Sequence, residues 1–179
     1  KKPIILLTTK DIRTSNTYYI TNHGPGAETF KDWPLTGAVG ASGAAPIFFP
    51  PILGNLIDGG VGSFGNPCLA TTIEAVEYMG MNPKDILHIS LGTGFVTNAR
   101  DDGAGAKFWL KQWLEYIFLE DIDDAALQQV YITRKIYSDM DFRRYNPDLD
   151  QKTVERDLGV KTRGIDTSRL TLDTRHLPQ

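Results

Sequence analysis

Leu56-Ile57-Asp58-Gly59-Gly60, then Asn66-Pro67 leading into Leu69, Ile73, Ala75 and Val76, then Ile86-Leu87-His88-Ile89-Ser90-Leu91-Gly92-Thr93-Gly94 is the stretch whose reading decides the fold. The first piece is a short apolar strand stopped by two glycines. Asn66 is suited to cap a helix and Pro67 to be its first residue, because proline lacks the amide hydrogen that goes unused there. The apolar residues that follow recur at helical spacing, and Gly80 marks the stop. Ile86 to Leu91 is an apolar run of strand length, closed by glycines. Strand, helix, strand in this order predicts a βαβ unit, hence a parallel sheet with a right-handed crossover and an α/β class.

Upstream, Ile4 to Thr9 is a continuous apolar and β-branched run, expected as a central strand buried on both faces. It enters abruptly, as if further sequence preceded it. Thr17 to Thr21 is a second strand candidate, and His23 to Ala27 reads as a Gly/Pro loop. Leu35 to Ala45 is weakly helical, with Gly37, Gly40 and Gly43 at every third position. Each glycine costs a helix about 1 kcal/mol against alanine, so a close-packed neighbour is expected there. Pro46 and Pro50-Pro51 end the segment. Downstream, Phe108 to Leu119 and Ala125 to Ile136 are expected as two helices, with Asp121, Asp123 and Asp124 at the start of the second, where the helix dipole favours them. The charged tail holds a further helix candidate, Lys152 to Leu158.

Composition narrows the function classes. The chain has 179 residues, 41% apolar, 23% charged and 10% aromatic, as expected for one ordinary globular domain. Nineteen Lys and Arg against 22 Asp and Glu give a net charge of −3, without the basic excess a nucleic-acid binder needs. Cys68 stands alone, so no internal disulfide and no zinc cluster of cysteines is expected. A single cysteine fits a reducing cytoplasm and also a secreted enzyme without disulfides. No apolar run has the length of a membrane span. Lys1-Lys2-Pro3 followed by Ile4 to Leu7 is too short an apolar stretch for a signal peptide and has no small-residue cleavage site.

Three motifs in order carry a family resemblance: Ala41-Ser42-Gly43-Ala44-Ala45-Pro46-Ile47-Phe48-Phe49-Pro50-Pro51, then Asp58-Gly59-Gly60, then Ser90-Leu91-Gly92-Thr93-Gly94. Together they resemble the patatin-like phospholipases. The resemblance implies a three-layer α/β/α fold with a mostly parallel central sheet, and a lipid acyl hydrolase that works with a Ser–Asp dyad. It maps the dyad aspartate onto Asp58, with Gly59 and Gly60 forming the turn that supports it. Such a mechanism needs no metal or organic cofactor. At a strand's carboxyl end a carboxylate can face a cleft, and in dry surroundings it can take a serine proton directly. The plainer alternative is that Asp58 only caps its turn.

The same resemblance places the nucleophile in a G-x-S-x-G elbow far upstream of the aspartate, together with a glycine-rich oxyanion segment. Only 57 residues precede Asp58, and none of Ser42, Ser63 or Ser90 sits in an elbow. Residues 1–179 are therefore expected to be the C-terminal part of a patatin-like domain, supplying the Asp and lacking the Ser. The alternative is a non-catalytic scaffold of the same type that binds lipid or a protein partner.

Other candidates are weaker. Gly60-Val61-Gly62-Ser63-Phe64-Gly65 is a literal G-x-G-x-x-G, with Asp85 about 20 residues on, as in dinucleotide-binding folds. However, Asn66-Pro67 starts the helix too late for its amides to reach a pyrophosphate, and Asp85 precedes the next strand instead of ending it. His88 is expected as a core residue, His23 and His176 as solvated. The acidic run Glu120 to Asp124 lacks the pattern of a Ca²⁺ loop and is expected to cap a helix. Phe108, Trp109, Leu110, Trp113, Leu114, Ile117 and Phe118 make a helix apolar on more than one face. It is expected to pack as core, with contact to a membrane surface through Trp109 and Trp113 as the functional alternative.

Overall fold

The computed structural model describes residues 3–62, 64–94, 103–147 and 149. Ser63, His176 and the helix candidate Lys152 to Leu158 lie outside them. The chain mixes helices and strands in the order β1 (Leu6–Asp11), β2 (Asn16–Thr21), α1 (Gly26–Phe30), α2 (Leu35–Ser42), β3 (Leu56–Asp58), α3 (Cys68–Ile73), β4 (Leu87–Leu91), α4 (Leu110–Ile136) and β5 (Asp141–Tyr145). The α/β class holds. Two compact units divide it: Lys1–His88 with Trp109–Phe142, and Ile89–Phe108 with Arg143–Gln179.

In the first unit β1 is central, as its apolar run implies, in the order β2-β1-β3. Both pairings are antiparallel: Thr8 faces Tyr19 on one side, and Thr9 faces Asp58 on the other. This corrects the expectation of a mostly parallel central sheet for the described strands, and of a βαβ unit joining β3 to β4. The parallel pairing belongs to β4 with β5, where Asp141 N–H donates to Ile86 O at 3.2 Å and Gly92 N–H to Tyr145 O at 2.8 Å. Part of the reason is local. Ile52 turns back on the outer edge of β3 and exchanges both backbone hydrogen bonds with Leu56, at 2.8 and 2.9 Å. That edge is thereby occupied before a parallel neighbour could use it.

The two faces of β1 bind different elements, because successive side chains of a strand point oppositely. Leu7 and Thr9 face α2, where Ile20, Ala38 and Ala41 form the buried cluster with Phe30, Trp33, Ile52 and Leu56 around it. The small residues of α2 permit this approach, and Ala41 is wholly buried. Thr9 is wholly buried too, its hydroxyl 2.8 Å from Ile57 O and 3.2 Å from Ala41 O. One hydroxyl proton thus serves two carbonyls and ties α2, β1 and β3 together. At the strand's end, buried Asp11 takes the Arg13 guanidinium at 2.8 Å. The hydrogen bonds from Arg13 hold its carboxyl below the usual range. That contribution to stability is in place above the ordinary carboxylate pKa and is lost as pH falls through the lowered value.

Helix α3 starts one residue later than its sequence implies, at Cys68 with Pro67 as the N-cap, and Asn66 Oδ1 accepts from Cys68 N–H at 3.3 Å just outside it. It widens into a π-turn over Glu74–Tyr78 and stops at Gly80, which adopts φ of +67°. Met81 N–H bonds back to Ala75 O at 3.0 Å, one residue further back than in a Schellman cap, in keeping with the widened coil. The loop expected at His23 to Ala27 gives way at Gly26 to the short α1.

The two helices expected near the C-terminal side are one. Helix α4 runs unbroken for 27 residues, and the acidic run Glu120 to Asp124 lies in its interior and not at a helix start. No glycine or proline separates Leu119 from Ala125, and an interior Asp costs a helix only about 0.7 kcal/mol, too little to break it. Asp124 accepts from Gln128 one turn on, at 3.2 Å. The later part of α4 packs on α3: Asn66 donates to Ala126 O, and Cys68 Sγ meets Thr133 Oγ1 at 3.5 Å. The aromatic start is not core. Trp109 is 80% exposed and Trp113 43%, which corrects the expectation of a core helix for these two. Trp113 packs edge-on against Tyr116, its ring centroid 6.0 Å away.

If the Thr9 hydroxyl links three elements, Thr9→Val keeps the shape and removes the donor that Ala41 O and Ile57 O share. We expect a loss of about 1–2 kcal/mol, a melting temperature lower by roughly 3–6 °C. A thermal melt superimposable on the wild type would show that the hydroxyl contributes nothing.

Candidate functional site

Asp58 ends β3, where the sheet register brings it opposite Thr9. Its amide donates to Ala44 O at 3.0 Å, which fixes the strand end to the exit of α2. Its carbonyl accepts from Val61 N–H at 3.1 Å, closing a turn over residues 58–61. Its carboxylate Oδ1 accepts from Gly60 N–H at 2.7 Å. Strand, turn and side chain thus hold one carboxylate oxygen in place. Oδ2 accepts no hydrogen bond among the described residues. The side chain is partly exposed.

The two glycines serve the turn by close approach. Neither is in the left-handed region, so backbone freedom is not their role. Gly59 is buried under β1: a Cβ there would overlap Thr8 Oγ1 and lie 2.5 Å from that residue's carbonyl carbon and oxygen. A Cβ on Gly60 would sit 3.1 Å from Asp58 Oδ1. Gly60 therefore lets its own amide reach the carboxylate, and Gly59 lets the turn lie against the sheet.

The serines are dispersed. Ser42 is the last residue of α2. Ser63 lies outside the described residues. Ser90 is buried in β4 and its hydroxyl accepts from Arg144 Nη1 at 2.7 Å, within the second unit. Among the described residues no serine is hydrogen-bonded to Asp58. The Ser90-to-Gly94 segment is packed against the end of β5: Gly94 N–H donates to Asn146 Oδ1 at 3.0 Å, and a Cβ on Gly92 would collide with that same side chain.

The remaining candidates resolve plainly. His88 is half-buried, its Nδ1 3.0 Å from Thr72 Oγ1 and its ring 4.8 Å from that of Phe142. Burial lowers its pKa, the behaviour of a core histidine. His23 departs from expectation. It is no merely solvated side chain, because its Nδ1 lies 3.1 Å from Oε1 of the buried Glu74. The partners are 51 residues apart, and no local pattern announces them. The glycine-rich segment after Asp58 does not open a helix near its second glycine; α3 begins at Cys68 and spans six residues. Asp85 lies in a single helical turn before β4. Neither feature offers a dinucleotide its pyrophosphate cradle. No group of three His, Cys, Asp or Glu among the described residues could hold a metal ion.

Chemically, the site offers one oriented carboxylate with a free oxygen at a strand end. Comparison with family models and with curated proteins finds no match for the chain.

The glycine geometry is open to measurement. Gly59→Ala meets backbone that cannot yield and should cost about 3 kcal/mol in denaturant unfolding, whereas Gly60→Ala meets a side-chain oxygen and should cost less. Wild-type stability in Gly59→Ala would refute the close approach of the turn to Thr8.

Proposed function

We propose that this chain supplies the dyad base of a lipid acyl hydrolase of the patatin-like kind, within a three-layer α/β/α domain to which residues 1–179 contribute the C-terminal part. The observation that carries the reading is the Asp58 carboxylate, anchored through Oδ1 by Gly60 and open at Oδ2, in a motif flanked by the two others in the family's order. The serine comes from a segment outside these residues. Its hydroxyl oxygen attacks the ester carbonyl while the proton passes to Asp58 Oδ2. The same proton then leaves with the departing alcohol; water, deprotonated in its turn by Asp58, attacks the acyl-enzyme, and that proton returns to the serine oxygen as the carboxylic acid is released.

A fluorophosphonate probe tests this on the natural full-length protein, because it labels only a serine that has a base and oxyanion donors. We expect one adduct, outside residues 1–179, and its loss in Asp58→Asn together with ester hydrolysis reduced by several orders of magnitude. Asn is nearly isosteric and can keep the bond from Gly60, so the fold should survive. Hydrolysis of a p-nitrophenyl ester at the wild-type rate by Asp58→Asn would remove Asp58 from the chemistry. An adduct on Ser42, Ser63 or Ser90 would move the nucleophile into this sequence. Absence of any adduct would favour the second reading, a lipid- or protein-binding scaffold. That reading draws on the serines' dispersal and on the carboxylate's bond to its own turn.

The start of α4 supplies contact with the lipid surface. Trp109, Leu110, Trp113, Leu114 and Ile117 are all exposed, and indole rings favour the boundary between water and hydrocarbon. Trp109→Ala combined with Trp113→Ala should weaken binding to phospholipid vesicles while hydrolysis of a soluble short-chain ester is kept. Its melting temperature should stay within about 3 °C of the wild type, since little buried area is lost. A large drop in melting temperature with vesicle binding unchanged would return the two rings to a structural role.

A further inference from the structure

A cavity of about 390 Å³ in the first unit lies apart from Asp58 and is bounded by β2, α1, α3 and the π-turn that follows. Its volume is within the range of sites for small molecules. Tyr18, Tyr19, Phe30, Tyr78 and Leu6 give it a largely apolar and aromatic wall, to which Thr17, Thr21 and Thr29 belong as well. Its one charged group is Glu74, which is only 8% exposed. His23 meets Oε1, while Oε2 accepts no hydrogen bond among the described residues and keeps contact with solvent.

The chain is built to hold this carboxylate where it is. Gly24 passes so close that a Cβ there would lie 2.6 Å from Oε1 and 3.4 Å from Oε2, and its φ of +65° favours glycine. Glu74 begins the π-turn, and its carbonyl accepts from Met79 N–H at 3.1 Å across the widened coil. Such wide turns are uncommon and recur at functional sites.

The lining dictates the charge of an occupant. No Lys, Arg or His belongs to it. A fatty-acid carboxylate entering the cavity would meet the like charge of Glu74, whose imidazole partner His23 lies outside the lining. A wholly apolar occupant would strip water from Oε2 and return nothing, which costs affinity. An ammonium group does the opposite: it donates to Oε2, neutralises the carboxylate and is attracted to aromatic faces. We propose that this cavity binds a small organic amine, a protonated nitrogen on an apolar or aromatic body, with Glu74 as its counter-ion. This inference does not depend on the role of Asp58.

Benzylammonium is the probe, with benzyl alcohol as the neutral analogue and benzoate as the anionic one. Binding to the wild-type chain is followed by ligand-observed NMR and by the tyrosine ring resonances. Benzylammonium should bind saturably and about tenfold more tightly than benzyl alcohol, as expected for a charge-assisted bond, and benzoate should not bind. Glu74→Gln should bring benzylammonium down to the affinity of the alcohol and leave the alcohol unchanged. Thr29→Trp, which places a bulky ring at an exposed position of the lining, should abolish binding of both. Where Glu74→Gln does not fold, Thr29→Trp establishes the place and benzoate the charge preference. Benzoate binding as well as benzylammonium, undiminished benzylammonium binding by a folded Glu74→Gln or by Thr29→Trp, or no saturable binding to the wild type would each overturn the proposal.

Discussion

The wholly buried hydroxyl of Thr9 is the point at which the first unit is joined. Its oxygen lies within hydrogen-bonding distance of Ala41 O in α2 and Ile57 O in β3, while its own backbone belongs to β1. A buried carbonyl left without a donor costs roughly 1–3 kcal/mol, so α2 and β3 are not free to shift independently of the central strand. The neighbouring Thr8 does the corresponding work on the opposite face. Its backbone leaves space for a glycine and nothing larger at position 59, and its hydroxyl is 3.4 Å from Phe64 O. Two adjacent threonines therefore bind α2 to one face of the sheet and the turn after Asp58 to the other.

The geometry of Asp58 follows from that arrangement. The strand carrying it is three residues long, too short to be held by pairing alone. It is held instead at both ends, by the Ile52–Leu56 bridge and by the bond from Asp58 N–H to Ala44 O. The motif that carries the proposed chemistry is thus linked to the preceding small-residue segment by a backbone hydrogen bond. That link gives a physical sense to finding the two motifs together, whatever reaction the site performs.

Helix α4 shows a different balance. Its later turns pack on α3 through Ala126 and Thr133, with Ile122 beside Gly65, whereas its first turns expose Trp109, Leu110 and Leu114. A run apolar on several faces can be buried core or an interfacial surface, and periodicity alone does not distinguish the two. What separates them is whether a neighbour covers the face. Among the described residues α3 covers one face of the later turns, where Thr133 is buried, and Trp109 and Leu110 stay largely exposed.

Local chemistry was legible in the residues themselves. The strand character of Leu6 to Thr9, within the run read from Ile4, the helix start near Asn66-Pro67, the stop at Gly80, the core setting of His88 and the turn at Asp58-Gly59-Gly60 all rest on interactions that span a few residues or on a simple apolar pattern. Pairing was not legible. That β3 lies antiparallel to β1, that β4 takes β5 as its partner, and that the helices before and after the acidic run are one, depend on which edges and faces are already occupied. An apolar strand looks the same beside a parallel or an antiparallel neighbour. The reason for the glycines also differed: the sequence calls for a tight turn, but only the fold brings Thr8 against Gly59. Least legible of all was the pairing of His23 with Glu74, which needs a loop and a helix 51 residues apart to meet beside one cavity. Backbone preferences and caps act over a few residues, so the sequence determined them alone; partners and exposure are set by long-range packing, and only the tertiary structure could decide them.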